Sequence, residues 1–188
     1  MANLTTQFIL YACPEGLLGE QIKAYLARSV AACGANAAHQ YMPHCTLTGF
    51  FEDVVDQATA YGDLLDRLLT AALPSCSHPV ITLSALIFRQ NWHGLEVESP
   101  WLRQLALQFR DRAESPTRRS PIRPKSWLHL SLAYDFSPDH DAHLRQLAEA
   151  DVNPDSPVTW SLRFYERRPG NQWICHRNWP LPSPSIAP

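Results

Sequence analysis

Two short segments of this chain place a histidine two residues ahead of a hydroxyl. The first is Pro43-His44-Cys45-Thr46-Leu47-Thr48-Gly49 and the second is Leu128-His129-Leu130-Ser131-Leu132-Ala133. Both read as buried strands. Side chains on a strand alternate between faces, so His44, Thr46 and Thr48 share one side while Cys45 and Leu47 take the other. In the second segment His129 and Ser131 stand opposite Leu128, Leu130 and Leu132. Each strand thus offers an imidazole and a hydroxyl to the same side. An imidazole titrates near pH 6.5, so of two facing rings the neutral one can take a proton from water and the charged one can give a proton to a leaving oxygen. The hydroxyls can hold the anionic oxygens of a group between the rings. Phosphoryl transfer has these requirements and needs no metal to meet them.

A motif this short arises by accident, and two copies do so in about 7% of chains of this composition. Their setting gives them weight. Residues 6–12 predict a strand. Pro14 opens a helix with Leu18, Ile22, Tyr25, Leu26, Ser29 and Val30 inward, closed by Gly34. A loop at 35–42 leads to the first histidine strand. Asp53 caps a second helix, with Ala58, Tyr61, Leu65, Leu68 and Ala72 inward, and a turn-rich link at 74–79 precedes strands at 80–88 and 94–97. The order then repeats. Ser99-Pro100 starts a third helix, with Leu102, Leu105, Ala106, Phe109 and Ala113 inward. A basic loop at 114–126 leads to the second histidine strand. Ser137-Pro138 starts a fourth helix, with Leu144, Leu147 and Ala148 inward, and strands at 157–165 and 172–176 flank Pro169-Gly170.

The same interval separates His44 from His129, Asp53 from Pro138, and Glu15 from Pro100. One strand–helix–strand–helix–strand unit is therefore read twice, at about 6–90 and 92–178. Packed about a pseudo-two-fold axis, the two units would bring the histidine strands together across one groove. The expected fold is α+β: two pseudo-symmetric lobes, each a largely antiparallel sheet with two helices, around a central groove. A single domain is expected over 1–178, with a disordered proline-rich tail at 179–188.

With 188 residues, 45% apolar and 18% charged, the composition suits a soluble globular chain with one domain or two small lobes around a shared core. A net charge of -2 gives no overall attraction to nucleic acid or anionic lipid, which favours a ligand that is small or gripped locally. The five cysteines (Cys13, Cys33, Cys45, Cys76, Cys175) are odd in number and form no C-x-x-C pair, so reduced thiols and a cytoplasmic location are expected. The N-terminal residues lack a signal-peptide pattern, and no apolar run has the length of a membrane span, so no membrane partner is expected. A monomer is expected.

The pair His44-Cys45-Thr46-Leu47 and His129-Leu130-Ser131-Leu132 resembles the two signature motifs of the 2H phosphoesterase superfamily. That superfamily includes 2′,3′-cyclic nucleotide phosphodiesterases and bacterial RNA 2′,3′-cyclic phosphodiesterase/2′–5′ RNA ligase proteins. The flanks look closest to the small cyclic phosphodiesterases of plants and fungi. The resemblance implies that His44 is the general acid, protonating the ribose 3′ oxygen, and that His129 is the general base, activating water. It implies that Thr46 and Ser131 bind the phosphate, that Tyr134 lies near the substrate, and that the product is a 2′-phosphate. No metal or cofactor is implied. The ligand that the resemblance implies is a nucleoside 2′,3′-cyclic phosphate or an RNA that ends in one. Strict alternation puts Tyr134 on the leucine face, so the strand must end or bulge before it. Ser131 stands where many members have threonine, and Cys45 occupies a variable position; both leave the chemistry intact and the substrate open. The alternatives are RNA end processing (2′–5′ ligation or 3′ exonucleolytic trimming) and a binding module that holds a nucleotide or cyclic phosphate without turning it over.

Other residues carry weaker signals. His140 and His143, beside Asp139 and Asp141, suit a polar first turn of a helix better than a metal site. Arg110, Arg112, Arg118, Arg119, Arg123 and Lys125 face Asp111 and Glu114 in one segment, and a solvated loop is slightly favoured over a nucleotide-phosphate contact. Trp92, Trp127, Tyr41, Phe50 and Phe51 suit base stacking, although aromatics beside strands more often belong to a core.

Overall fold

Eleven residues rich in aromatic and apolar side chains, Thr5–Glu15, form the central strand β1. In the computed structural model, which describes residues 5–72 and 79–182, this strand is buried on both faces. Phe8, Leu10 and Ala12 enter the main core, and Ile9, Tyr11 and Cys13 enter a smaller aromatic cluster on the opposite side. Helix α1 (Gly16–Cys33) follows and stops at Gly34, whose φ of 78° suits the residue that lacks a Cβ. A 3₁₀ turn at Ala37–Gln40 leads to β2 (Cys45–Thr46), β3 (Phe51–Val54) and α2 (Gln57–Ala72). Next come β4 (Thr82–Leu83), β5 (Ile87–Arg89), β6 (Trp92–Glu98) and α3 (Pro100–Arg112). The chain continues through β7 (His129–Tyr134), a 3₁₀ turn at Pro138–His140, α4 (Asp141–Asp151), β8 (Thr159–Arg168) and β9 (Gln172–Pro180). Ser99 caps α3 through its side chain, which accepts from the Leu102 amide, with Pro100 in the first turn.

The architecture is α+β, with a large antiparallel sheet and four α-helices among the described residues. Strand order is β4-β6-β7-β2-β1-β8-β9, with β3 also beside β1 and β5 beside β6. The two halves of the chain exchange strands. β8, from the C-terminal half, pairs with β1, and β4 and β5, from the N-terminal half, pair with β6. Helix α1 packs on α4 and α2 on α3. Where β2 meets β7, the sheet is joined through one residue pair, Cys45 with Leu130.

Several local expectations are corrected. Pro14 lies in β1, opposite Trp160, and α1 begins at Gly16. The first histidine strand shrinks to Cys45–Thr46 because the Leu47 and Thr48 amides both donate to the Leu10 carbonyl, at 3.0 and 3.4 Å, as in a β-bulge. Thr48 consequently turns inward, and its hydroxyl accepts from the Leu10 amide at 3.1 Å. Asp53 is not a helix cap. It lies buried in β3, where its carboxylate accepts from Tyr61 Oη at 2.6 Å, Thr117 Oγ1 at 2.5 Å and the Val54 amide at 2.8 Å. It thereby ties α2 and the basic loop to β3, and α2 starts at Gln57. The strand expected over 80–88 is two short pieces, β4 and β5. The tail begins later than expected: β9 runs to Pro180, Leu181 is buried, and its amide donates to the Trp160 carbonyl at 2.8 Å. Trp179 Nε1 also donates to Asp66 Oδ1 at 2.5 Å, which holds this end against α2. The rest of the predicted tail, 183–188, most of the turn-rich link, and Cys76 lie outside the described residues. Cys13, Cys33, Cys45 and Cys175 are free thiols. No helix among the described residues is long and apolar enough to cross a membrane.

Candidate active site

Cys45 and Leu130, paired across β2 and β7, both point into the core. Antiparallel neighbours step in opposite directions, so this one pair sets Thr46 across from His129 and His44 across from Ser131, all four on the face away from the core. Directly opposed Cβ atoms lie about 5 Å apart and diagonal ones about 7–8 Å. The two imidazoles therefore occupy one diagonal of a four-cornered arrangement and the two hydroxyls the other. All four side chains line a single cavity of about 470 Å³. Tyr11, Tyr41, Trp92, Trp127 and Tyr134 wall it, and Lys125 is its one lysine or arginine among the described residues.

Both rings are held in the same way. His44 Nδ1 donates to the Met42 carbonyl at 2.7 Å, and His129 Nδ1 donates to the Trp127 carbonyl at 3.3 Å. A carbonyl only accepts, so each neutral ring carries its proton on Nδ1 and leaves a lone pair on Nε2. Neither Nε2 has a hydrogen-bond partner among the described residues. The His44 ring packs against Tyr11, at 4.1 Å between centroids, and against Tyr41 at 5.4 Å. Burial pushes the His44 pKa down to about 4, the Met42 carbonyl opposes this, and His129 adds to it. Burial also lowers His129; the Trp127 carbonyl and Glu96 oppose that shift, while Lys125 and Arg89 reinforce it. Without a ligand both rings are neutral at pH 7. A negative phosphate between them acts in the opposite sense and favours a protonated ring.

The wall beside His129 is braced by charge. The Trp127 indole stacks on His129, with centroids 3.9 Å apart and planes 26° apart. Its Nε1 donates to Glu96 Oε1 at 3.1 Å, and the same oxygen accepts from Arg89 Nη2 at 2.6 Å. The Arg89 guanidinium lies over both Trp92 and Trp127, at 5.3 and 5.2 Å. Trp92 Nε1 donates to Ser131 Oγ at 2.9 Å, which leaves the serine proton free to donate to a ligand.

Gly94 makes this approach possible. A Cβ there would fall far inside van der Waals contact with the Leu130 carbonyl oxygen and 2.5 Å from Trp92 Cζ2. The β6–β7 register slips at the same place. Ser131 pairs with Gly94 and Ala133 with His93, so Leu132 is the extra residue of a bulge. That bulge turns Tyr134 from the leucine face to the cavity, as the sequence required.

No family model matches the chain. Curated relatives include the ecdysteroid-phosphate phosphatases of Bombyx mori, 28% identical over 87% of this chain, and of Drosophila melanogaster, 30% identical over 87%. The Homo sapiens ubiquitin-associated and SH3 domain-containing protein B is 30% identical, also over 87%. The chain spans about a quarter of the length of these relatives (25%, 26% and 25%). Among solved structures, the crystal structure of Escherichia coli LigT in apo form matches with a TM-score of 0.53 and 17% identity, covering 96% of this chain and 99% of that one. Two histidine motifs thus meet in one cleft of a LigT-like fold. The chain shares the fold of LigT along nearly its whole length.

The five residues singled out from sequence, His44, Thr46, His129, Ser131 and Tyr134, all line the cavity. Of the flagged aromatics, Tyr41, Phe50, Trp92 and Trp127 line it too, whereas Phe51 belongs to the core. The basic segment contributes Lys125 alone. Arg110 pairs with Asp111 at 2.7 Å, and Arg118 donates to the Ala113 carbonyl at 2.6 Å. His140 and His143 form no metal cluster among the described residues; Asp141 accepts instead from buried His93 at 3.0 Å. Sequence reasoning missed Tyr11, because an aromatic on a central strand reads as core. It also missed Glu96, whose signal was only an acid alternating with apolar residues on β6.

Glu96→Gln tests the brace. Losing the carboxylate removes a charge that holds the His129 pKa up, so the imidazole should titrate lower by on the order of a few tenths of a pH unit, the size expected for a solvent-screened charge. Ring-proton NMR across pH reads this directly, and an unmoved midpoint would exclude the coupling.

Proposed function

We propose that this chain is a 2H phosphoesterase that hydrolyses 2′,3′-cyclic phosphates on nucleotides or RNA ends to 2′-phosphates, independently of metal, with His44 and His129 as the acid–base pair. The observation that carries this reading is the diagonal pair of imidazoles with free Nε2 atoms, flanked by the hydroxyls of Thr46 and Ser131 in one cavity. In the reaction, His129 Nε2 takes a proton from water. The water oxygen bonds to phosphorus in line with the 3′ oxygen, whose bond to phosphorus breaks, and protonated His44 gives that oxygen its proton. Thr46, Ser131 and Lys125 offset the charge on the non-bridging oxygens. His44, neutral in the free protein, becomes the acid because the substrate anion raises its proton affinity.

kcat/KM reports the free protein, whose pair titrates with both steps below the ordinary histidine value of 6.5. The singly protonated pair is most populated between those steps. The kcat/KM profile should therefore be a bell that peaks below pH 6.5 with an acid limb near 4, while kcat, which reports the complex, peaks higher. A kcat/KM optimum above pH 7 would contradict the assignment. The assay uses the four 2′,3′-cyclic mononucleotides and one cyclic-ended RNA, with a chelator present, and turnover should persist. A 5′-hydroxyl strand in the same mixture separates ligation from hydrolysis, and a ligand recovered intact would indicate binding alone. The free thiols fit a reducing, cytoplasmic setting for such a reaction.

A further inference from the structure

The face of the sheet that carries the imidazoles continues beyond them. Gln7, Ile9 and Tyr11 alternate along β1 and pair with Arg167, Tyr165 and Arg163 of β8. Ile9 and Tyr11 line the first cavity; Gln7 lines a second, of about 410 Å³, together with Glu52, Arg167 and Asn171. Arg167 stands where the two adjoin. Its guanidinium lies 5.8 Å from the Tyr41 ring, 5.3 Å from Phe50 and 5.6 Å from Trp173, and the first two rings also wall the first cavity.

The neighbouring arginines are already engaged. Arg163 binds Glu15 at 2.5 Å, Arg168 binds Glu166 at 2.6 Å, and Arg177 binds Asp63 at 3.3 Å. Arg167 has no carboxylate at ion-pair distance among the described residues. Its Nε donates to Asn171 Oδ1 at 3.1 Å, and neither Nη has a hydrogen-bond partner among the described residues. Among the described residues, Glu52 is the one carboxylate lining this cavity, and its Oε1 accepts from Gln7 Nε2 at 3.5 Å. A guanidinium stacked on rings, with its Nη edges open, matches the two anionic oxygens of a phosphodiester. Aromatic rings beside it suit a base of any identity.

We infer, on the basis of the hydrolase reading above, that Arg167 with Tyr41, Phe50 and Trp173 forms a second subsite for the nucleotide on the 5′ side of the cyclic end. The guanidinium takes the connecting phosphodiester and the rings take the base, so the preferred ligand is an oligonucleotide rather than a mononucleotide.

The test compares kcat/KM of the full chain on a 2′,3′-cyclic mononucleotide and on a trinucleotide with the same cyclic end. The trinucleotide should be preferred by at least about tenfold, the effect of one good phosphate contact. Arg167→Gln should erase that preference, with the loss falling on the trinucleotide, and Glu52→Gln should increase it. Raising salt from about 50 to 200 mM should erode the preference in the unaltered chain more than in Arg167→Gln. Equal treatment of the two substrates by the unaltered chain, or an equal fall on both in Arg167→Gln, would overturn the subsite. If neither substrate is turned over, the hydrolase reading fails by itself. The subsite is then read by anisotropy with a labelled trinucleotide that ends in a 2′-phosphate. Binding about tenfold weaker in a folded Arg167→Gln supports the subsite, and equal affinity overturns it.

Discussion

His129→Ala is expected to lower kcat/KM on a 2′,3′-cyclic mononucleotide by about 10²- to 10⁴-fold, and His44→Ala by a similar factor. In the proposed mechanism each ring has its own proton transfer, and the Tyr11 and Tyr134 phenols that line the same cavity are both pushed up by burial, Tyr134 to about 12, which leaves them poorly suited to replace an imidazole. The double variant should fall little below the worse single one, because a base without its acid accomplishes little. Neither change should unfold the chain, since the apolar sides of these strands, Cys45 and Leu130, carry the packing. Near-normal turnover by either single variant on every cyclic phosphate tried would remove the paired mechanism. His44 also carries a stability signature. Its folded pKa lies below the unfolded value of 6.5, so the unfolded chain binds the proton more tightly. Stability is full above about pH 6.5 and declines as pH falls toward 4, by roughly 3 kcal/mol in all. His44→Gln removes that group, so its melting temperature should fall less steeply over the same range.

Gly94→Ala is expected to cost on the order of 3 kcal/mol and to depress turnover together with stability. The added methyl meets two obstacles of different kinds. Trp92 Cζ2, at 2.5 Å, belongs to a side chain that can move, but moving it breaks the hydrogen bond to Ser131 and removes the edge that faces His129. The Leu130 carbonyl is backbone in the β6–β7 ladder, opposite Leu95, and can yield only if the strands separate. Separation undoes the bulge at Leu132 that turns Tyr134 into the cavity. Removing the indole in a Gly94→Ala, Trp92→Ala double variant relieves only the first obstacle, so its melting temperature should stay low. An unchanged melting temperature in Gly94→Ala would show that the two strands do not approach this closely.

Much of the site could be read from local rules. In the second motif, three leucines alternate with His129 and Ser131, and the period-2 geometry of a strand leaves only one arrangement. The required bulge before Tyr134 could be anticipated for the same reason. Thr48 could not, because the double donation to the Leu10 carbonyl comes from another strand and turns its hydroxyl inward. Asp53 was misread for a related reason. Its position before a helical pattern suits a cap, but Tyr61 and Thr117 supply hydroxyls that satisfy a buried carboxylate in β3. Trp179 and Leu181 were assigned to a tail because prolines surround them, whereas their partners, Asp66 and the Trp160 carbonyl, lie far away in the chain.

By itself the sequence determined which residues could do the chemistry and that each motif shows its imidazole and hydroxyl to one side. Those facts depend only on side-chain alternation along a few consecutive residues. The tertiary structure decided everything that requires two distant segments: the single Cys45–Leu130 pairing that sets the rings on a diagonal, the burial that holds His44 neutral, the Glu96–Trp127 brace on His129, and the position of Arg167 beside the cavity. Register between strands and loss of solvent are set by long-range contacts, which no local pattern encodes.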